Sequence, residues 1–138
     1  MKRKHHLYQT RQKMLSADYE IFHYSDIGLK QVNLHHHDFY ECYLFISGDV
    51  TYFIEGKAYT LRPGDIILIN STELHQPIIN NNNIPYERIV LWLNKPFLKS
   101  LSSEKTDLSR CFEDSKKENV LRVNIEIQQR IKVILKKS

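Results

Sequence analysis

This chain has no cysteine pair spaced to bind a metal or to act as a redox centre. Its two cysteines, Cys42 and Cys111, share no CxxC motif and read as free, partly buried thiols. No apolar run is long enough to span a bilayer, and the N-terminus lacks the apolar stretch of a secretory signal. The expectation is a protein kept in the cytosol with no membrane partner. There is no GxSxG and no glycine-rich phosphate loop, which removes the usual serine-hydrolase and nucleotide-phosphate signatures. Ser71 and Ser102 have no motif around them and read as loop or cap residues rather than nucleophiles. No internal repeat occurs, and the low-complexity content is confined to Asn80-Asn81-Asn82-Asn83.

Positive charge is scarce in the middle of the chain. Net charge is +3 over residues 1–30, −4 over 31–94 and +5 over 95–138, so basic flanks surround an acidic centre. A nucleic-acid-binding domain places its Lys and Arg along the folded recognition surface. Here the segment that reads as folded lacks them. The Lys2-Arg3-Lys4-His5-His6 run is short and reads as a solubilising terminus rather than a phosphate-binding arm.

What remains is the make-up of a soluble domain. At 138 residues, 41% apolar and 26% charged, the chain can bury one real core. Residues 1–18 show no period and read as an N-terminal arm. Tyr19–Tyr24 is rich in strand formers, and Ser25–Gly28 is a turn. Leu29–Leu34 leads into a histidine-bearing strand that continues through Glu41–Ser47. Thr51–Glu55 and Lys57–Leu61 flank a tight hairpin at Glu55-Gly56-Lys57. Arg62-Pro63-Gly64-Asp65 is a strong turn, and Ile66–Ile69 is an unbroken apolar run, as in a strand buried on both sides. A loop delivers His75, Gln76–Ile79 is a further strand, and Tyr86–Leu93 is the last long one. About eight short strands with polar turns indicate an antiparallel sandwich or barrel over residues 19–94.

After Pro96 the period changes, and residues 95–138 read as a helical extension. Phe97, Leu98, Leu101, Leu108 and Phe112 suit one or two short helices. Asn124 can cap a helix in which Ile127, Ile131, Ile134 and Leu135 make one apolar stripe, with Lys132, Lys136 and Lys137 toward its C-terminal end. That stripe needs a surface, which is either the chain's own barrel or a dimer partner.

The chemistry concentrates in His35-His36-His37-Asp38-Phe39-Tyr40-Glu41. On an extended strand His35, His37 and Glu41 share one face, while His36, Asp38 and Tyr40 point the other way. With His75 they form a set that three readings fit. Imidazoles and a carboxylate can hold Zn, Fe, Mn, Ni or Cu and leave positions open for water or substrate. They can line a metal-free polar pocket. They can also be exposed strand residues. Tyr43, Phe45, Tyr52 and Trp92 are candidates for pocket walls, though each such aromatic is more often a core residue than a ligand contact.

Two spaced patterns carry a resemblance. His35-x-His37-x3-Glu41-x6-Gly48 is similar to the first cupin motif, and Gly56-x6-Pro63-Gly64-Asp65 followed by His75 is similar to the second. Gly28 lies one residue too far upstream to start the first motif, and no asparagine follows His75 at the usual place. The fold this implies is mainly β, a cupin double-stranded β-helix (jelly roll), followed by C-terminal α-helices. The longer wording His35–Gly48, Leu61–Asn70, Glu73–Pro77 and Tyr86–Leu93, with the Phe97-Leu98 helix, resembles the N-terminal sensor domain of AraC-type transcriptional regulators over residues 19–138.

That resemblance implies a small-molecule effector, a sugar or other polar metabolite, bound in the barrel. It implies His35, His37, Glu41 and His75 at the polar end and Tyr43, Tyr52 and Trp92 at the walls. It also implies a homodimer through the C-terminal helices, with DNA bound only by a C-terminal pair of helix-turn-helix units. Those units are not in this sequence, since forty-four residues follow Asn94. The chain therefore corresponds to the sensor half. No cofactor is required, although a divalent transition metal at His35, His37, Glu41 and His75 is compatible with the residue set. The alternative is a metal-dependent cupin enzyme, a dioxygenase or an isomerase.

Overall fold

Alternating apolar residues and the turn chemistry between them place the strands. The computed structural model describes residues 5, 6, 8, 13–30, 32, 34, 37–114 and 116–136, the last two by backbone alone. Among these the chain forms strands β1 (Tyr19–Asp26), β2 (Tyr40–Ser47), β3 (Val50–Ile54), β4 (Lys57–Thr60), β5 (Asp65–Ile69), β6 (His75–Ile79), β7 (Tyr86–Leu93) and β8 (Val120–Arg122). The helices are α1 (Lys95–Ser100), α2 (Arg110–Glu113) and α3 (Ile125–Lys136). The strands make two antiparallel sheets, one in the order β1-β7-β2-β5-β8 and one in the order β4-β3-β6.

Alternation sends Phe22, Tyr24, Tyr43, Phe45, Ile67, Ile69, Val90 and Trp92 of the larger sheet into one core with Val50, Tyr52 and Ile54 of the smaller. The other face of the larger sheet is covered by helices. Tyr40 packs with Leu98 of α1 and Phe112 of α2, while Leu44, Ile66 and Ile89 pack with Ile131 of α3. A sheet buried on both faces accounts for the unbroken Ile66-Ile67-Leu68-Ile69 run, because its alternate residues serve two cores.

The turns follow from a few residues. The β3–β4 hairpin turns on Glu55 (φ 49°) and Gly56 (φ 78°), the two left-handed residues that a two-residue hairpin loop requires. Gly64, at φ 93°, leads into β5, and a Cβ there would run into the Gln128 side chain of α3. Asp65 closes that turn. Its carboxylate accepts the Arg62 amide at 2.8 Å and Nε of Arg122, on β8, at 3.1 Å.

Four segments depart from the sequence expectations. The histidine strand begins only at Tyr40, and His37, Asp38 and Phe39 are irregular. The His37 ring stacks on Phe39 with centroids 3.8 Å apart, whereas residues two apart on an extended strand stand about 6.8 Å apart. The backbone must bend to bring them together. His35 and His36 lie outside the described residues.

The segment after Leu93, expected to be helical, also supplies β8, which pairs with β5. The α3 helix is capped at Asn124, whose Oδ1 accepts the Ile127 amide at 2.9 Å. Its expected stripe is split, however. Ile131 packs on the sheet while Ile127 and Ile134 stay 43% and 64% exposed. The face of α3 that meets the sheet carries Ile131, and Gln128 sits beside Gly64. Neither Lys137 nor the side chains of Leu135 and Lys136 are among the described parts.

The basic N-terminal run departs too. Lys2, Arg3 and Lys4 lie outside the described residues, but His6 pairs with Tyr24 on the edge of β1. Its amide donates to the His23 carbonyl at 2.6 Å. Tyr8 packs edge-on against Tyr24.

Candidate functional site

Three of the four residues singled out from the motif meet between the sheets. His37 is brought in by the bend before β2, Glu41 faces inward from β2, and His75 opens β6. Their ligand-capable atoms all lie within 4.8 Å of one another, and all three are buried. His37 Nε2 stands 3.9 Å from Glu41 Oε1, and His75 Nε2 stands 3.5 Å from Glu41 Oε2. Both distances exceed the 2.7–3.2 Å of a direct N–H···O bond. The three groups surround a common point. The fourth residue, His35, is outside the described residues.

Each imidazole is held from behind. His37 Nδ1 lies 3.2 Å from the Phe39 carbonyl and His75 Nδ1 lies 2.8 Å from the Glu73 carbonyl. A neutral ring that donates through Nδ1 presents its Nε2 lone pair on the other side, toward Glu41. Trp92, opposite Glu41 in the β2–β7 register, donates its indole N–H to Glu41 Oε1 at 2.9 Å.

The loop that delivers His75 is fixed by Glu73. The Glu73 carboxylate accepts the Asn70 amide at 2.8 Å, Lys117 Nζ at 2.8 Å and Asn119 Nδ2 at 3.2 Å. Asn119 also donates to the Leu68 carbonyl of β5 at 2.9 Å. The segment that precedes β8 thus helps to place a histidine on the far sheet.

The proposed wall residues line the same interior. Tyr52 stacks over His75 at 6.3 Å and meets Tyr43 edge-on at 5.5 Å. Phe45 is fully buried in the same core. Burial pushes the Tyr52 hydroxyl well above its usual value, with the Glu41 charge adding to the effect. Burial does the same to Tyr43, aided by Tyr86, whose hydroxyl bonds to that of Tyr43. These phenols stay neutral at physiological pH and can both donate and accept.

Sequence reasoning missed one end of this interior. Arg88 is 2% exposed, with its guanidinium 4.1 Å from the Tyr86 ring centre, 4.8 Å from Tyr24 and 5.4 Å from Tyr8. It donates to Asp26 at 2.7 Å and to the Tyr86 carbonyl at 2.8 Å. The signal was available, because alternation along β7 puts Tyr86, Arg88, Val90 and Trp92 on one face. From His75 through Tyr52, Tyr43 and Tyr86 to Arg88, the interior carries a continuous line of polar aromatic groups. It starts from a histidine–carboxylate cluster and ends at a buried cation.

Comparison with known proteins agrees with this architecture. A family model for the AraC-like ligand binding domain matches residues 22–137. No curated protein matches the chain. Among solved structures, the chain is similar to a cupin protein from Bacteroides fragilis, with 17% identity over 77% of this chain and 96% of that one and a TM-score of 0.52. It is also similar to an RmlC-like cupin family protein with a double-stranded β-helix fold from Methanocaldococcus jannaschii, with 16% identity over 70% and 94% of the two chains and a TM-score of 0.51. The DMSP lyase DddQ of Ruegeria pomeroyi matches at 24% identity over 58% of this chain with a TM-score of 0.49, and the match spans 40% of the lyase's length. The likenesses to the two cupin proteins bear on the fold.

Proposed function

The chain belongs to the family of AraC-like ligand-binding domains, and on that premise we propose that it senses a small polar effector, a sugar or other polar metabolite, held between its two sheets. The observation that carries this reading is the convergence of His37, Glu41 and His75 on one buried point, walled by Trp92, Tyr52 and Tyr43. The cluster orients hydroxyl or carboxyl groups, and the aromatic faces take the apolar side of the same molecule. Binding then biases how α3 and the N-terminal arm pack. A homodimer formed on the exposed Ile127, Val133 and Ile134 of α3 passes the change to a DNA-binding region outside this sequence. This reading is that of a cytosolic regulator, not an enzyme. No helix among the described residues is long and apolar enough to cross a membrane.

The test is a thermal-shift screen against sugars and polar metabolites, run beside a measurement of mass in solution. An effector at one hundred times its Kd adds about 2.7 kcal/mol to stability, a shift of several degrees. The expected result is a stabilising compound whose effect is lost in Glu41→Gln, acting on a dimer. A chain that stays monomeric at high concentration and is stabilised by nothing in the panel refutes the reading.

One observation favours a second reading. With Nδ1 of both histidines turned to carbonyls, His37, Glu41 and His75 fit a divalent transition metal, which would supply Lewis-acid chemistry when bound. A metal-dependent cupin enzyme, a dioxygenase or isomerase, would use these residues as ligands. Metal content of untagged protein tests it. Substoichiometric metal that does not change in His37→Ala removes the enzyme reading.

A further inference from the structure

A second cluster lies on the opposite face of the five-stranded sheet. The arm residue His6 runs parallel along β1, and its exposed ring meets Phe22 and Tyr24 edge to face, with centroids 5.8 and 6.5 Å away. Alternation sends the neighbouring His5 outward, where β1 presents His23 and β7 presents Glu87. His23 Nε2 lies 2.6 Å from Glu87 Oε2, and His5 Nε2 lies 3.5 Å from the same oxygen. The two imidazoles meet edge to face, with centroids 4.5 Å apart and planes at 79°. The three ligand-capable atoms lie within 4.8 Å of one another.

We propose that His5, His23 and Glu87 form a binding site for a divalent transition-metal ion, Zn2+ being the one its donors suit best, and that the ion staples the N-terminal arm to the sheet. Two imidazole nitrogens and one carboxylate are a familiar zinc donor set, and they leave the fourth tetrahedral position to water. Metal–ligand bonds of about 2.0–2.2 Å require donors about 3.3 Å apart. The 3.5 Å pair already meets this, and the 2.6 Å pair need open by less than an ångström. The side chains are 16–37% exposed, so a hydrated ion reaches them directly. In the triad between the sheets, by contrast, the side chains are 0–9% exposed. His6 is not a ligand, because its Nδ1 accepts the His23 amide at 2.9 Å.

The consequence is mechanical. Among the described residues, backbone pairing ties the arm to β1 at His6. A metal bond to His5 fixes it covalently to two strands and keeps Tyr8 against Tyr24 and Arg88.

The test is Zn2+ titration of the untagged chain by calorimetry, with trypsin cleavage at Lys13 followed in parallel with and without Zn2+. Wild type, His5→Ala and Glu87→Gln are compared. His5 lies on the surface of the arm, so its truncation leaves the sheets intact. Any zinc held by His37, Glu41 and His75 is common to all three proteins. The expected result is one fewer zinc in both variants, or binding weakened at least about tenfold, since losing a direct ligand costs at least what losing its supporting groups does. Zinc should slow cleavage at Lys13 severalfold in wild type and in neither variant. Zinc binding unchanged in His5→Ala overturns the proposal, as does protection at Lys13 that survives the substitution.

Discussion

Phe112→Ala tests whether the segment after β7 is part of the folding unit or an appendage. Phe112 is 3% exposed and stacks on Tyr40 of β2 with centroids 4.7 Å apart and planes at 14°, while Leu98 of α1 completes the cluster. A buried phenyl removes roughly 150–250 Å2 from water, worth about 4–6 kcal/mol at about 25 cal/mol/Å2. Truncation keeps Cβ and lets the site collapse partly, which leaves a cost of about 3–5 kcal/mol. For a chain of this length that lowers Tm by about 9–15 °C. It also consumes much of the 5–15 kcal/mol typical of a whole domain. The assay is urea denaturation followed by fluorescence of Trp92, the lone tryptophan, which sits in the core between the sheets. Lys116→Ala, on the exposed surface nearby, is the control and should change stability by no more than about 0.5 kcal/mol. If Phe112→Ala leaves the Trp92 transition where it was, the helices fold apart from the sheets and the account of a shared core fails.

Thiol labelling of the folded protein should find Cys111 and miss Cys42. Burial, with Cys111 and Glu41 adding, pushes the Cys42 thiol up to about 12, so about one molecule in ten thousand carries the thiolate at pH 8. Equal labelling rates at the two cysteines refute that environment. In alkali, absorbance at 295 nm should show Tyr43, Tyr52 and Tyr86 ionising late, together with unfolding. Burial raises Tyr86 to about 12 against the opposing pull of Arg88. A tyrosine raised in the folded state stabilises fully below its unfolded value near 10 and loses that contribution as pH climbs through the folded one. Stability should therefore fall above pH 10 by about 1.4 kcal/mol per pH unit for each such tyrosine. A smooth titration of all eight tyrosines near 10 without unfolding would contradict it. Trp92→Phe removes the donor to Glu41 Oε1 and should cost about 1.5–3 kcal/mol by circular dichroism. A neutral result would mean that water replaces the indole.

Much of the architecture was legible because it rests on local signals. The run Tyr86–Leu93 read as the last long strand, Glu55-Gly56-Lys57 marked the hairpin, and Arg62-Pro63-Gly64-Asp65 marked the turn into β5. The approach of His37 and Glu41 to His75 was also readable, through motif spacing. What escaped depends on partners distant in sequence. Nothing local in Val120-Leu121-Arg122 announces a strand; its pairing with β5 and the Arg122–Asp65 contact create it. Ile127 and Ile134 are exposed because α3 lies on the sheet through Ile131, and no helical period encodes which part of an apolar stripe meets the sheet. Arg88 was passed over because a cation in an apolar strand reads as an edge residue until Asp26 and three tyrosines are seen around it.

The order of the larger sheet has a kinetic consequence. In β1-β7-β2-β5-β8 no two neighbouring strands are consecutive in the chain, whereas the smaller sheet contains the local β3–β4 hairpin. Asp65 waits for Arg122, fifty-seven residues later, and Tyr19 waits for Leu93. Each such pairing must close a long loop before any contact rewards it, which puts folding in the slow, millisecond-to-second class of non-local β proteins. On a ribosome the hairpin can form early, but β5 keeps an open edge until Val120–Arg122 has emerged. The apolar Ile66–Ile69 segment is then the stretch of nascent chain most in need of a chaperone.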